Sequence, residues 1–414
     1  MNGDILPGLQ VPAEPMAFVP TRAAGLAQLD RFVARAGRAY ASQRNYDFGP
    51  LRRSNVSSLS PWIRHRLITE EEVLRATLAK HALSSAEKFV QEVFWRTYFK
   101  GWLEQRPSVW RHYQAGLVRA RTALAKDGAL AGEHQAATTG QTGIDGFDAW
   151  ARELVETGYL HNHARMWFAS IWIFTLRLPW ELGADFFLRH LMDGDPASNT
   201  LSWRWVAGLH TKGKSYQART SNIAKYTEER FRPTHQLATT AAPLVEAVEH
   251  PRVPVPLADP MPAGEALLLV TEEDGDLTPA LPRTLAGVLG LLATEARSPE
   301  PLGAVAAAFA RGAVADAVTR TGGAGDPVAA SDWAGPILAA AEAAGTQTVV
   351  TAYAPVGPVA DRLAAAQPAL AEAGVTLAQI RRPYDDLAWP HATKGFFALK
   401  QKIPQVLRAL GLAG

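Results

Sequence analysis

The sequence predicts two parts of different fold class, an all-helical part followed by a small parallel α/β part. Apolar residues recur at helical spacing through the first half, where no alternating strand pattern occurs. The stretch from Pro233 to Gly264 is rich in proline and alanine without periodicity, which is typical of a linker. Buried-strand candidates then alternate with Ala-rich helical segments, as in strand–helix–strand units. We therefore expect domains at 1–232 and 265–414, joined by the linker 233–264.

The helical part is predicted from apolar periodicity and from helix start signals. Thr69 followed by Glu72 has the pattern of a capping box, in which each side chain bonds the other residue's backbone N–H. The turn- and serine-rich residues 45–61 are predicted to form a loop. The predicted helices are 22–38, 69–81, 86–105, 146–157, 162–177 and 182–192.

The second part is predicted from three short apolar runs separated by helical segments. The predicted strands are 266–270, 346–353 and 374–380, and the predicted helices are 301–319, 333–344 and 359–373. This part has no G-x-G-x-x-G loop and no Walker motif, so the sequence indicates no nucleotide site of its own. The alternation predicts a small Rossmann-like domain.

Composition excludes several classes of protein. The 414 residues include no cysteine, which rules out disulfides, thiolate zinc sites and cysteine-ligated iron–sulfur clusters. No apolar run reaches the roughly 18 residues that a membrane span needs, and the N-terminus lacks the pattern of a signal peptide. We expect a cytoplasmic monomer that has no membrane association and no metal site.

Charge is distributed unevenly along the chain. Residues 1–235 contain 30 basic and 22 acidic side chains, whereas residues 236–414 contain 12 basic and 18 acidic ones. A polyanion such as DNA would prefer the first part. The acidic second part would favour a protein partner. The excess in the first part is also compatible with an ordinary, mildly basic surface.

The segment from Thr157 to Asn199 places His, Asn, Arg and Asp residues in a Trp-rich helical sequence. Buried polar groups are costly unless something satisfies them, so the segment predicts a pocket for a large polar ligand. This segment resembles the flavin-binding core of the DNA photolyase and cryptochrome family. The resemblance covers residues 40–230 and rests on four blocks in the family's order. It implies a helical domain that holds FAD in a bent conformation.

The first block is Tyr46 with the loop Ser57-Ser58-Leu59-Ser60-Pro61. In the family, a Tyr and a loop of this kind hold the FAD diphosphate, which implies cofactor-binding roles for Tyr46, Ser57, Leu59 and Ser60. Hydroxyls and backbone N–H groups at a helix start suit anionic oxygens. Val56 replaces the family's first Thr or Ser. A serine loop that only caps a helix remains the alternative.

The second block, residues 88–99, resembles the family helix N-E-x-x-W-R-E-F-Y. Glu92, Trp95 and Arg96 match it and share one helix face through their i, i+3, i+4 spacing. The resemblance implies that Glu92 hydrogen-bonds the bases of a pyrimidine dimer, that Trp95 stacks on the dimer, and that Arg96 contacts the flavin. The alternative is a core tryptophan beside a surface ion pair.

The third block, residues 158–167, is similar to the family's G-W-x-H-N-R-x-R-M. The resemblance implies that Asn162 contacts the dimer bases, that Arg165 contacts the flavin and that Met166 packs on the dimer. Asn162 occupies the first position of the histidine pair found in six-four photolyases, which favours cyclobutane dimers as substrate. We expect neither His161 nor His163 to donate a proton.

The fourth block is Asp193-Gly194-Asp195 followed by Asn199. In the family, the two aspartates contact the flavin and ribose. Asn199 aligns with the family's Asn that faces flavin N5. The resemblance thus implies cofactor-binding roles for Asp193, Asp195 and Asn199. A plain turn or a divalent-metal loop is the alternative for the D-G-D motif alone.

Three tryptophans complete the resemblance. Trp180 and Trp203 align with the first two members of the relay that photoreduces the flavin, and Trp205 aligns with a wall of the dimer cavity. A third relay member is not evident, and a tyrosine or Trp172 is a candidate. Core packing is the alternative role for all of these indoles. After Trp205 the sequence departs from the family.

Domain order differs from that of most family members, in which an α/β antenna domain comes first. Here the α/β part follows the helical part, which suggests a swapped order with an antenna-like domain at the C-terminus. No antenna-pigment site is recognisable, and we expect no second chromophore. The sequence thus predicts a blue-light-driven, FAD-dependent photolyase that repairs cyclobutane pyrimidine dimers in UV-damaged DNA. The alternatives are a cryptochrome-like photoreceptor and a flavoprotein that does not use light.

Overall fold

The computed structural model describes residues 16–276 and 284–412. Its first part is helical. The helices are α1 (Arg22–Val33), α2 (Arg38–Gln43), α3 (Ser60–Arg64), α4 (Glu70–Lys80), α5 (Leu83–Glu104), α6 (Ser108–Lys126), α7 (Gly128–Thr139), α8 (Phe147–Thr157), α9 (Asn162–Ser170), α10 (Trp180–His190), α11 (Pro196–Val206) and α12 (Thr220–Tyr226).

Helix boundaries follow local chemistry. The capping box at Thr69 and Glu72 is confirmed, since both of its side chain–backbone hydrogen bonds form at the start of α4. The predicted helix 22–38 is instead two helices, because the chain turns at Ala36 and Gly37. The predicted helix 162–177 continues beyond α9 only as a π-helical turn, Ile171–Thr175. It ends before Arg177, which has a left-handed φ of 56°.

The second part contains a five-stranded sheet in which all pairs are parallel, in the order β3-β2-β1-β4-β5. The strands are β1 (Glu265–Val270), β2 (Thr284–Leu292), β3 (Val328–Ala329), β4 (Thr348–Ala352) and β5 (Thr376–Ile380). The helices α13 (Ala304–Arg320), α14 (Ala334–Ala343) and α15 (Pro358–Glu372) lie between the strands in sequence. All three predicted strands and all three predicted helices are confirmed.

Strand β2 was not predicted, because its sequence TLAGVLGLL contains two glycines, which are depleted in strands. The structure shows why a glycine suits one of these positions. A Cβ atom on Gly290 would lie 2.9 Å from the side chain of Val318 and 3.1 Å from that of Val314, both on α13. Glycine here allows α13 to pack closely on the sheet.

The chain ends in three short helices, α16 (Pro383–Ala388), α17 (Phe396–Lys400) and α18 (Ile403–Ala409). Their apolar residues, including Tyr384, Phe396 and Leu407, share one buried core with α1 and α5 of the helical part. The terminal helices therefore pack on the helical part, although they follow the sheet in sequence.

Within the predicted linker 233–264, residues 239–262 contain no regular secondary structure. Two backbone hydrogen bonds hold this stretch on the helical part: Leu244 N–H donates to Ala207, and Val253 N–H donates to Gln105. Within the described ranges, no helix is both long enough and apolar enough to cross a membrane.

Candidate functional site

The D-G-D motif forms a buried turn that leads into α11. Asp195 is the N-cap of this helix, and its Oδ1 accepts a hydrogen bond of 2.7 Å from the backbone N–H of Ser198. Its other oxygen, Oδ2, lies 2.8 Å from Lys100 Nζ on α5. The side chain of Asp195 is fully buried. The motif is therefore more than a surface turn.

Three cations surround the Asp195 carboxylate. Besides Lys100, the guanidinium nitrogens of Arg96 and Arg64 lie 3.8 and 3.9 Å from Oδ2. Burial alone would raise the pKa of Asp195. The attraction of Lys100 first, and then of Arg96 and Arg64, outweighs burial and holds the pKa well below its usual range. Asp195 is therefore a permanent anion in the folded protein.

Two further motif residues are fixed beside this turn. Arg165 on α9 donates from Nη2 to Asp193 Oδ2 at 2.9 Å and from Nε to the Leu160 carbonyl at 2.9 Å. Asn199 on α11 donates from Nδ2 to the Ala184 carbonyl at 2.7 Å. We call the set Arg96, Arg165, Asp193, Asp195 and Asn199 the Asp195 cluster. At the D-G-D turn the structure pairs Arg96 with Asp195 and Arg165 with Asp193, and Asn199 lies one helical turn further along α11.

The sequence motifs did not reveal the charged residues that complete this cluster. Arg64 Nη2 donates to Glu273 Oε1 at 2.6 Å, and Lys100 Nζ lies 3.4 Å from Glu273 Oε2. Glu273 belongs to the loop after β1, so a carboxylate of the α/β part reaches cations of the helical part. A signal was available, because the basic run Arg64-His65-Arg66 and the acidic run Glu272-Glu273-Asp274 have complementary charges.

A second group of buried ion pairs lies beside the first. Arg66 on the helical part contacts Glu70, Asp274 and Asp385 at 3.2, 3.4 and 2.8 Å. Arg382 donates to both oxygens of Asp274 at 2.6 Å. Charges of the acidic loop are thus neutralised within the chain. The loop carboxylates are buried, so this loop does not form an acidic surface for a partner.

Several buried polar atoms in the Asp195 cluster and on α11 make no hydrogen bond among the described residues. They include Arg96 Nε and Nη2, Asp193 Oδ1, Ser198 Oγ, Thr200 Oγ1, Trp203 Nε1 and Arg204 Nε. Such groups are rare in folded proteins and call for a partner. Cationic donors beside a helix N-terminus suit phosphate oxygens, and a free carboxylate oxygen suits a ring N–H or a ribose hydroxyl. This set of donors and acceptors fits a flavin dinucleotide.

The residues predicted to face a DNA lesion are arranged differently. We call Glu92, Trp95, Asn162, Met166 and Trp205 the lesion face. No hydrogen bond or ring contact joins any two of them in the part of the chain that is described. Asn162 is exposed, and the other four are partly buried.

Two members of the lesion face already have partners. Trp95 stacks on Phe396 of α17, with ring centroids 3.9 Å apart and planes at 12°. Glu92 forms an ion pair with Arg44. Burial nevertheless raises the pKa of Glu92, more than Arg44 lowers it. The terminal helices thus cover the flat indole face that the resemblance assigned to the dimer.

The first predicted block lies close to the D-G-D turn through α3. The Leu59 backbone is at the start of α3, Ser60 is its first residue, and Arg64 at its end donates to the Gly194 carbonyl at 2.9 Å. Ser57 Oγ accepts from the Leu59 N–H at 3.4 Å. Tyr46 stacks on Phe48. The phosphate-binding roles of Tyr46, Ser57, Leu59 and Ser60 stay predictions.

The two predicted relay tryptophans belong to separate aromatic groups. The ring centroids of Trp203 and Trp172 lie 6.1 Å apart, whereas those of Trp180 and Tyr113 lie 5.7 Å apart. Tyr113 in turn lies 5.2 Å from Trp110. The structure thus places both kinds of third-member candidate, a tyrosine and Trp172, next to a predicted relay residue. Trp205 stacks on Tyr216 at 5.6 Å. Their electron-transfer and cavity roles stay predictions.

Two cavities among the described residues lie elsewhere. One of about 340 Å³ is lined by residues 143–152 and Phe231, and another of about 30 Å³ lies between residues 69–71 and 382–384. Neither is lined by a residue of the Asp195 cluster or of the lesion face. Beside the Asp195 cluster, Glu273 contacts Arg64 and Lys100, and at the lesion face Phe396 stacks on Trp95.

Comparison with known proteins gives matches over the same segment. Residues 89–262 match the family described as the FAD binding domain of DNA photolyase. The deoxyribodipyrimidine photo-lyase of Synechococcus sp. is 32% identical over 203 residues, covering 45% of this chain and 39% of that relative. The enzyme of the same name from Streptomyces griseus is 33% identical over 187 residues, covering 42% and 39%.

A class III photolyase from Agrobacterium tumefaciens of known crystal structure is 26% identical, with a TM-score of 0.39, over 50% of this chain and 43% of its own. The chain thus spans about two fifths of the length of the curated relatives it matches, at 39% for each of the two.

Proposed function

Because this chain belongs to the DNA photolyase family through its FAD-binding segment, we propose that it repairs cyclobutane pyrimidine dimers in DNA with FAD and blue light. The Asp195 cluster carries this proposal. Its five members match the family motif residue by residue. They converge on one turn, and buried donors and acceptors among them lack partners within the described chain.

The cationic residues of the cluster offer FAD hydrogen-bond donors, and the anionic residues offer it acceptors. Arg96 offers free N–H donors to anionic oxygens, and Asp193 offers a free carboxylate oxygen. Lys100 keeps Asp195 ionised, and Asp195 in turn caps α11. Asn199 is held by the Ala184 carbonyl on α10, so its position is fixed. Bound FAD supplies the light-driven electron transfer that the protein's own side chains cannot perform.

The lesion face supports DNA as the substrate. Trp95 offers an indole surface on which an extruded base pair can stack, once Phe396 no longer covers it. Glu92 and Asn162 offer hydrogen-bonding groups to base edges, and Met166 and Trp205 offer apolar contact. The excess of basic over acidic residues before residue 236 favours attraction of a phosphate backbone.

A cryptochrome-like photoreceptor is the second candidate function, and the Trp95–Phe396 stack favours it. With Phe396 stacked on Trp95, less of this indole is available to a dimer. In a photoreceptor, light would change the flavin's redox state and the terminal helices would transmit the change to a partner.

The parallel sheet supports a further part of the proposal, the swapped domain order. We assign 1–232 to the flavin domain, 233–264 to the linker and 265–414 to an antenna-like domain. The all-parallel order β3-β2-β1-β4-β5 supports this assignment. The terminal helices α16–α18 then connect the antenna-like domain back to α5.

Substitution of Glu92 tests the repair function. We expect Glu92→Ala to reduce light-dependent loss of thymine dimers from an oligonucleotide by about tenfold or more, since a hydrogen bond to a buried base is lost. FAD content and flavin photoreduction should not change. The matched control is Glu133→Ala, which removes an exposed carboxylate on α7. Unchanged repair in Glu92→Ala would remove this residue from the substrate site.

The pH profile sharpens the same test. The raised pKa of Glu92 keeps its carboxyl protonated to a higher pH than a free glutamate, and only the protonated form donates a hydrogen bond. We therefore expect repair to fall as the pH rises through this pKa, measured as initial rates of dimer loss. Glu92→Gln cannot titrate and should flatten that part of the profile. Identical pH profiles for the two proteins would contradict this role.

A further inference from the structure

The linker and α6 form a group of two histidines and one glutamate away from the Asp195 cluster. His112 Nε2 on α6 lies 3.2 Å from Glu246 Oε1, and His250 Nε2 lies 3.3 Å from Glu246 Oε2. One ligand atom from each of the three side chains lies within 4.8 Å of the other two. None of these residues belongs to the flavin motifs.

The three side chains lie close enough together for one ion to reach all of them. Zinc binds imidazole nitrogen and carboxylate oxygen at about 2.0–2.2 Å. The two histidine nitrogens lie beside different oxygens of Glu246, so one ion between them would contact both carboxylate oxygens. Two histidines and one glutamate leave a fourth position for water, as in many zinc sites.

His250 is prepared to act as a ligand. Its Nε2 atom is buried and makes no hydrogen bond among the described residues. Its other nitrogen, Nδ1, lies 2.9 Å from Ser108 Oγ on α6. A hydrogen bond at Nδ1 orients the ring and leaves Nε2 for the metal.

The carboxylate is oriented in the same way. Arg204 on α11 donates to both oxygens of Glu246, at 2.8 and 2.6 Å. Such a paired contact is typical of an arginine with a carboxylate. Each carboxylate oxygen has a second lone pair that remains available to a metal. The positive charge of Arg204 weakens metal binding but fixes the ligand in place.

We propose that His112, Glu246 and His250 bind one zinc ion, which fastens the linker to the helical part. The backbone on both sides of Glu246 and His250 is already held, since Leu244 and Val253 donate hydrogen bonds to Ala207 and Gln105. A stretch without regular secondary structure gains little from its own packing, and a shared ion supplies the missing restraint. Imidazole-rich sites of this kind prefer zinc over calcium or magnesium.

Zinc titration of the full-length, metal-stripped protein tests the site. We expect isothermal titration calorimetry with zinc chloride to give one ion per chain. His112→Ala/His250→Ala should weaken binding by more than about tenfold, and Ser108→Ala by about tenfold. The matched control is His235→Ala, which removes an exposed histidine of the same linker and should bind zinc normally. Absence of zinc binding by the wild type, or equal affinity in the double variant, would overturn the proposal.

Two further readouts keep the test valid if the double variant folds poorly. Cobalt in a site of low coordination number gives visible absorption bands, and we expect Glu246→Gln to change them. Zinc should also slow proteolysis of residues 241–253 in the wild type and in His235→Ala, but not in Glu246→Gln. Equal protection of all three proteins would show that the ion binds elsewhere.

Discussion

The residues of the Asp195 cluster and of the lesion face match the family motifs equally well, yet they make different contacts in the folded chain. The cluster residues meet at one buried turn, held by Lys100 and by the Arg165–Asp193 pair. In the described ranges, no hydrogen bond or ring contact joins two residues of the lesion face. Trp95 packs on Phe396, and Asn162 is exposed.

The difference shows what a helix motif does and does not determine. The i, i+3, i+4 spacing places Glu92, Trp95 and Arg96 on one face of α5. Which element covers that face depends on distant sequence. Arg96 meets the oppositely charged Asp195, whereas Trp95 meets an aromatic ring from α17. Charge complementarity thus determines the partner of Arg96, and apolar contact determines the partner of Trp95. Both partners belong to segments outside the α5 motif.

The largest effect is expected from Asp195→Ala. Removing this anion leaves Lys100, Arg96 and Arg64 with reduced compensation in a buried site, and breaking a buried ion pair costs about 3–5 kcal/mol. We expect a lower free energy of unfolding, measured by urea denaturation, and loss of FAD, measured by absorbance after gel filtration.

The control for this change is Asp326→Ala, which removes an exposed carboxylate and should alter neither quantity. Asp195→Asn separates charge from shape, because it keeps an oxygen that can cap α11. Full FAD occupancy in Asp195→Ala would remove this residue from the cofactor site.

A pair of asparagines compares the two regions directly. Asn199→Ala removes a buried 2.7 Å hydrogen bond to the Ala184 carbonyl and should destabilise the protein by about 1–3 kcal/mol. Asn162→Ala changes an exposed side chain and should stay within about 0.5 kcal/mol of the wild type in urea denaturation. Equal losses in the two variants would contradict the contrast between cluster and lesion face.

The smallest effect is expected where the terminal helices cover Trp95. Phe396→Leu keeps an apolar residue of similar size and should cost less than about 1.5 kcal/mol in stability. It removes the ring stacked on Trp95, so we expect binding of a dimer-containing oligonucleotide to tighten by up to about tenfold, equivalent to about 1.4 kcal/mol. Fluorescence anisotropy measures this affinity.

The neighbouring residue provides the control. Phe397 is 67% exposed, so Phe397→Leu should leave the affinity unchanged. Equal affinities of Phe396→Leu and the wild type would show that the stack does not limit access of DNA to the lesion face.

Much of the fold could be predicted from local signals. Apolar periodicity located α4, α5 and α8, and the short apolar runs located β1, β4 and β5. Strand β2 was missed because it contains two glycines, one of which, Gly290, allows the close packing of α13 on the sheet. The break after α1 was missed because Ala36 and Gly37 interrupt an otherwise continuous helical pattern.

Only those residues of the site that belong to the family motif could be predicted from the sequence. The motif identified Arg96, Arg165, Asp193, Asp195 and Asn199, and the structure joins them. Lys100 and Glu273 were missed, because a lysine at the end of a matching helix and a glutamate in another part of the chain become partners only after folding. The covering of Trp95 by Phe396 is a long-range contact of the same kind.

Flavin content of the wild-type protein tests the central claim most directly. The full-length chain, purified in the dark with added FAD and freed of excess by gel filtration, should retain one FAD per chain, measured by absorbance after denaturation. This result would establish that the chain binds the flavin for which the Asp195 cluster is proposed, and loss of FAD in Asp195→Ala would then locate it. A protein that folds cooperatively and retains no FAD would contradict the account.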